Sequence, residues 1–301
     1  MKATRAISSI LICTIVWISI LSTQSNILSA NTITNVSVNP TINFAKLHQN
    51  FTVSVGVNDV KNLYGVQINV TWTASVLTLV HSDLRIDLKN HTDGVLHDPI
   101  IIFRNNITQN NYQIIAVSEN PAPAFSGSGN VAVLTFNVNG VGSSEIDLDT
   151  ILGNSTAQAI PNDIMNGLYY PIQILAVPTV VNVNERVNIT GTIAVDQANI
   201  PVSIIYKKTT DTAWSTLATV NTDQQGNYFY TWTPNTGGKY DIKATASLAG
   251  NPQTSTTFSM VVNGNSQLPW INIGIIAAVI IMIVLLSLFY YQRRKEKALT
   301  H

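Results

Sequence analysis

From residue 31 to about 173 the chain alternates apolar and polar residues with a period of two, and no segment sustains a helical period. In the run FTVSVGV, Phe51, Val53, Val55 and Val57 share one phase, while Thr52, Ser54 and Gly56 share the other. The run GVQINVTW repeats this, with Val66, Ile68, Val70 and Trp72 opposed to Gln67, Asn69 and Thr71. Farther on, Leu134, Phe136 and Val138 alternate with Thr135, Asn137 and Asn139, and Ile146 and Leu148 with Glu145, Asp147 and Asp149. Successive side chains of a strand point to opposite faces, so each run predicts a strand with one buried and one wet face. Turn formers separate the runs: Asn110 with Asn111, the SGSG that begins at Ser126, and Asn139 with Gly140. The expected fold class is all-β, with one antiparallel sandwich over residues 31–173.

A second β unit is predicted over residues 174–262. Val187, Ile189, Gly191 and Ile193 alternate with Asn188, Thr190 and Thr192; Tyr240, Ile242 and Ala244 alternate with Lys239, Asp241 and Lys243. About seven short strands at regular turn spacing predict an immunoglobulin-like sandwich. Tyr240 precedes Ile242 by two residues, the spacing of a tyrosine corner before the second cysteine of a disulfide-bonded domain. Ile242 takes the place of that cysteine. The unit is similar to Ig-like repeats of prokaryotic surface proteins.

Two segments depart from the β pattern. Residues 1–30 carry Lys2 and Arg5, then an apolar run over 6–21 and the polar STQSN, which predicts a signal peptide. Cleavage after Ala30 sets Leu28 at a position that prefers a small residue, so an uncleaved N-terminal anchor is the alternative. Residues 271–291 contain no charge and, as a helix, span roughly 30 Å, the hydrocarbon thickness of a bilayer. Trp270 stands at one end, and Tyr290 and Tyr291 at the other. Beyond them Arg293, Arg294, Lys295 and Lys297 face only Glu296. The positive-inside rule therefore predicts a single-pass protein of the cell membrane. Its two β units lie outside, residues 263–270 form a polar linker, and residues 292–301 form a basic cytoplasmic tail.

The formal net charge of zero hides a split: residues 31–270 hold 10 Lys and Arg against 15 Asp and Glu. A mildly acidic exterior excludes nucleic acid as a partner, because a phosphate backbone demands a basic patch. The one cysteine, Cys13, lies in the N-terminal apolar run, so the outer units have neither disulfides nor thiolate metal ligands.

Seven N-x-S/T sequons mark possible N-glycosylation, at Asn35, Asn50, Asn69, Asn90, Asn106, Asn154 and Asn188. Asn69 and Asn188 fall on the outward phase of their strands. Residues 81–98, HSDLRIDLKNHTDGVLHD, gather Asp87, Asn90 and Asp93 with His81, His91 and His97. Neither a calcium loop nor a zinc site has this spacing, so a solvated loop on the sandwich rim is expected, with no metal and no other cofactor. Trp72 and Trp232 lie on the inward phase, which leaves Trp214 as the expected exposed ring. With no Gly-rich phosphate loop and no G-x-S-x-G elbow, no catalytic residue is assigned and the chain is not expected to be an enzyme.

The order FTVSVGVNDVKNLYGVQINVTW, then SVLTLV, then GNVAVLTFNVNGVGSSEIDLD resembles the cohesin family over most of residues 34–170. Gly65 after Leu63 and Tyr64, and the VLTFNV run, match that pattern most closely; Trp72 stands where the family usually has Tyr. The resemblance implies a jelly-roll-like sandwich related to cellulose-binding modules. It also implies docking of a secreted dockerin-bearing partner through a sheet face. With the membrane segment, the protein is expected to display that module at the cell surface on the Ig-like unit as stalk, and its dense sequons, lack of cysteine outside and Asn/Thr-rich strands fit an archaeal-type exterior. Kinship with cellulose-binding modules implies one alternative, a carbohydrate-binding module for surface polysaccharide; the sequon-dense, Asn/Thr-rich composition leaves a second, a structural or adhesive envelope component. No partner-binding residue carries over from the family pattern.

Overall fold

The computed structural model of the protein describes residues 33–264 and 281–282. The expected signal peptide and cytoplasmic tail lie outside the described residues, as does the membrane segment apart from Ile281 and Met282, which are helical. Among the described residues no helix is long and apolar enough to cross a membrane.

The first sandwich has eleven strands: β1 (Thr34–Asn39), β2 (Ile42–Asn43), β3 (Asn50–Trp72), β4 (Leu77–Leu84), β5 (Ile100–Ile107), β6 (Asn111–Ser118), β7 (Phe125–Val138), β8 (Ser144–Asn154), β9 (Ala159–Ile160), β10 (Asn162–Met165) and β11 (Gly167–Tyr169). The 23-residue β3 organises them, because it belongs to both layers. Its first half pairs with β1 and β7, setting Val57 opposite Val36 and Val53 opposite Leu134. Its second half pairs with β6 and β8, setting Ile68 opposite Ile114 and Thr150. The two alternating runs of the sequence are thus halves of one strand. Between them the register with β7 shifts, and Asp59 and Asn62 take φ angles of 54° and 60°. Asp and Asn tolerate this left-handed conformation better than other side chains, so NDVKNLY turns a corner without leaving the sheet.

One layer therefore runs β4-β7-β3-β1-β10 and the other β5-β6-β3-β8-β11-β2, with β9 against β8. Val36, Val38, Val55, Leu134 and Phe136 of the first layer meet Ile68, Val70, Tyr112, Ile114 and Ile146 of the second in one buried cluster. Each large side chain buried this way stabilises the fold by about 1.5–3 kcal/mol. The buried Tyr169 donates its hydroxyl to the carbonyl of Ala45 at 2.9 Å. Its ring stacks on Phe51 at 5.5 Å, and Trp72 meets Phe136 edge-on at 5.1 Å.

The second sandwich comprises β12 (Ile172–Val177), β13 (Val180–Asn182), β14 (Val187–Ile193), β15 (Pro201–Lys208), β16 (Ser215–Asn221), β17 (Asn227–Trp232), β18 (Gly238–Leu248), β19 (Asn251–Thr254) and β20 (Phe258–Asn263). It begins two residues ahead of the expected start at 174. Nine strands stand where the turn spacing predicts about seven; β13 and β19, of 3 and 4 residues, are too short to show a period. A sheet β12-β14-β17 faces a sheet β13-β20-β18-β15-β16, with β19 paired to β18. Between them lies a separate buried cluster that includes Ile189, Ile204, Ile242 and Ala244. The buried Tyr240 donates to the carbonyl of Thr236 at 2.8 Å, so it ties the start of β18 to the chain four residues upstream, as a tyrosine corner does.

Only Tyr170 and Pro171 separate β11 from β12. Beside this joint the Leu47 amide donates to the Ala194 carbonyl at 2.7 Å, and the Ala194 amide to Pro171 at 2.7 Å. Lys46 bridges the same seam, with Nζ 2.5 Å from Asp196 Oδ1 and 2.7 Å from the Gln225 carbonyl.

Candidate docking face

The two outer faces of the first sandwich differ in chemistry. On β1, β3 and β7 the outward positions are chiefly Asn, Ser and Thr, and they satisfy one another. Thr52 and Thr135 hydroxyls lie 3.0 Å apart, Asn137 Nδ2 donates to Asn50 Oδ1 at 2.7 Å, and Asn58 Nδ2 donates to Ser37 Oγ at 3.1 Å. Its outward apolar residues are isolated from one another: half-buried Val133 opposite Ser54, Val80 on β4 and Met165 on β10.

The face of β5, β6, β3 and β8 is different. The register sets Ile101, Val117, Gly65 and Gly153 in one row, Arg104, Ile115, Gln67 and Ile151 in the next, and Asn106, Gln113, Asn69 and Asp149 in a third. Gly65 and Gly153 keep one end low, and Ile101, Ile115, Val117 and Ile151 make an apolar centre. Ile151 is 53% exposed, and Phe103, at a register shift on the edge strand β5, is 66% exposed. Glu145, Asp147 and Asp149 share the outward phase of β8 with Ile151 and form an acidic margin. Asn166 Nδ2 donates to Glu145 Oε1 at 3.0 Å and also to Asp147. Across the sheet, Arg104 donates to Gln113 Oε1 at 2.9 Å, so the cation stands at the β5 side and the carboxylates at the β8 side. An apolar centre within a charged, hydrated margin is how protein docking surfaces are built.

Sequence reasoning missed β5. Its signal was the unbroken apolar run of Ile100 to Phe103, which lacks the alternation of a half-buried strand because β5 is an edge strand exposed almost throughout.

The sequons divide between the faces. Asn35 and Asn50 lie on the Ser/Thr/Asn face; Asn69 and Asn106 lie in the third row of the apolar-centred face. Asn69 is half-buried and accepts a hydrogen bond from Asn111 Nδ2; Asn106 is exposed. Asn90 sits on the loop after β4, where its amide donates to Asp87 Oδ2 at 2.5 Å. Asn154 caps a turn by accepting from the amides of Thr156 and Gln158, each at 2.9 Å. Asn188 is exposed on the second sandwich and accepts from Thr231 Oγ1 at 3.2 Å.

Residues 81–98 correct the expectation of a solvated rim loop. His81 belongs to β4, and the segment beyond it folds back so that Ile86, Val95 and Leu96 are buried in the first core. The tie is Arg85, whose Nε and Nη2 both reach Asp93, the latter at 2.8 Å; Asn130 Nδ2 donates to the same carboxylate at 2.8 Å. The Arg85 bonds first, and that of Asn130 second, hold the Asp93 carboxyl well below the usual carboxylate range. Asp93 is thereby committed to a structural pair, and Asp87 to its own turn through the Lys89 amide. Among the described residues, no three His, Cys, Asp or Glu side chains gather as a metal site. Trp214 is also less free than its sequence context predicts: Lys243 Nζ lies 4.1 Å from its ring centre and Lys207 Nζ 5.4 Å.

Residues 33–167, just under half of the chain, match the family model of the Cohesin domain. No curated protein matches the sequence. Among solved structures, a non-cellulosomal cohesin from the hyperthermophilic archaeon Archaeoglobus fulgidus is 12% identical, covers 46% of this chain and 89% of its own, and has a TM-score of 0.36. CaCohA2 from Clostridium acetobutylicum is 20% identical over 45% of this chain and 89% of its own, with a TM-score of 0.35. The sixth cohesin of Acetivibrio cellulolyticus scaffoldin B, solved in complex with a mutant of the Cel5 dockerin, is 16% identical over 46% of this chain and 98% of its own, with a TM-score of 0.37.

Proposed function

We propose that the Cohesin-domain match over residues 33–167 extends from fold to function, and that the first sandwich docks a dockerin-bearing protein on its β5-β6-β3-β8 face. The observation that carries this reading is the row Arg104, Ile115, Gln67 and Ile151, in which the exposed Ile151 and the half-buried Ile115 flank Gln67 on the outer face of the sheet. A partner element with an apolar middle and a cation toward the acidic edge of β8 complements it. The module works by binding alone, without catalysis. Residues 271–291 hold it at the cell membrane, and the second sandwich serves as an Ig-like spacer. Its tyrosine-corner bond at Tyr240 and the two-residue joint support a stiff stalk. Polysaccharide binding is the lesser reading. It requires a row of exposed aromatic rings, whereas Phe103 and Phe229 stand on different sandwiches.

The test is capture of secreted proteins of the same organism on the membrane-held full chain. Recovery of a protein that is retained with its dockerin and lost when the dockerin is deleted supports docking. Retention that survives the deletion contradicts it.

A further inference from the structure

The two sequons in the third row stand against the apolar centre of the docking face. Asn69 lies in register with Gln113 and Asn106 on one side and with Asp149 on the other. Gln67 holds the β3 position of the adjoining row, and its neighbours are Ile115 and Ile151, so the apolar centre begins two residues along β3 from Asn69. Two residues of strand span about 7 Å, and adjacent strands lie about 4.8 Å apart. A glycan is bulky and strongly hydrated. One attached to Asn69 rises from the middle of the face, and one on Asn106 from its β5 edge. Neither leaves room for a partner seated on Ile115 and Ile151.

We infer that N-glycosylation at Asn69 or Asn106 closes the docking face, so that each molecule is either glycosylated there or competent to dock. This rests on the docking reading above. The two positions differ in when they can be modified. Asn69 sits inside a sheet with β6 and β8 paired on either side, and its amide is half-buried against Asn111. A transferase reaches it only before those strands pair, so its state is set during synthesis. Asn106 lies exposed on an edge strand and stays accessible after folding. Asn35 and Asn50, on the opposite face, have no such effect and serve as internal controls.

The experiment uses the full chain purified from its own host. The probe is an immobilised dockerin-bearing secreted protein of that host, with its dockerin-deleted form as blank. Glycopeptides from the captured and uncaptured pools are compared, for the wild type and for the Thr71→Ala, Thr108→Ala double variant, which removes both sequons but keeps both asparagines. The inference expects at least about tenfold depletion of Asn69 and Asn106 glycopeptides from the captured pool, with Asn35 and Asn50 occupied equally in both pools. If all wild-type molecules are modified, it expects capture of the double variant alone. Equal occupancy of Asn69 and Asn106 in the two pools overturns the gate, as does finding both sites empty in every molecule, and docking survives in either case. Failure to capture molecules that are bare at both sites overturns the docking reading, and the gate falls with it.

Discussion

Asp93 shows how one side chain sets the shape of a loop. Its carboxylate receives both Arg85 and Asn130, and neither ion-pair partner is fully exposed, with 28% of the Arg85 side chain and 36% of that of Asp93 open to solvent. Asp93→Ala leaves the Asn130 side-chain amide without its acceptor and Arg85 with Asp83 alone, and it should cost about 1 kcal/mol in chemical denaturation at neutral pH. Because the folded-state pKa is depressed, the stabilisation is fully present above the ordinary carboxylate value near 4 and is lost as the pH falls below it. The difference between wild type and Asp93→Ala should therefore be constant from about pH 5 to 8 and shrink in acid. A difference that grew in acid would contradict the assignment. Residue phase was legible in the sequence wherever alternation was strict: Val66, Ile68, Val70 and Trp72 are buried as their period predicts. Arg85 and Asp93 were not, because an ion pair eight residues apart in an irregular segment leaves no periodic trace.

At the scale of elements, the long corner of β3 and the loop packed beside it fix the rim of the first sandwich. A Cβ on Gly129 would lie 2.6 Å from both the Asp93 and Gly94 carbonyl oxygens, which are backbone atoms unable to swing aside. Gly129→Ala should accordingly cost about 1–3 kcal/mol, read as a lower melting temperature. The edge strand β5 behaves in the opposite way. Phe103 is 66% exposed, so Phe103→Ser should shift the melting temperature by no more than about 2 °C. The element map was legible at half-buried strands with a polar outward phase, but not at β6, where Ile114 to Val117 is apolar on both faces. It failed at β5, which has no buried phase, and at β13 and β19, which are shorter than any period needs. It also read the loop after β4 as solvated, since Ile86, Val95 and Leu96 are apolar without being periodic.

On the scale of the whole molecule, two buried clusters stand on either side of a two-residue joint, and the seam at Lys46, Leu47 and Ala194 holds them together. The two-sandwich plan was visible in the sequence as two stretches of period-two pattern. The docking face was not, because it is made by register: Ile115 and Ile151 lie 36 positions apart in the chain and meet only through β3. The most direct measurement is therefore a comparison of faces. The full chain, its Ile151→Asp variant and its Thr52→Asp variant would be titrated with one dockerin-bearing partner by calorimetry, after melting curves establish that all three are folded. Ile151 is on the apolar-centred face and Thr52 on the opposite one. The account predicts at least about a tenfold loss of affinity for Ile151→Asp and wild-type affinity for Thr52→Asp. Full affinity in Ile151→Asp, or loss in Thr52→Asp alone, would contradict it.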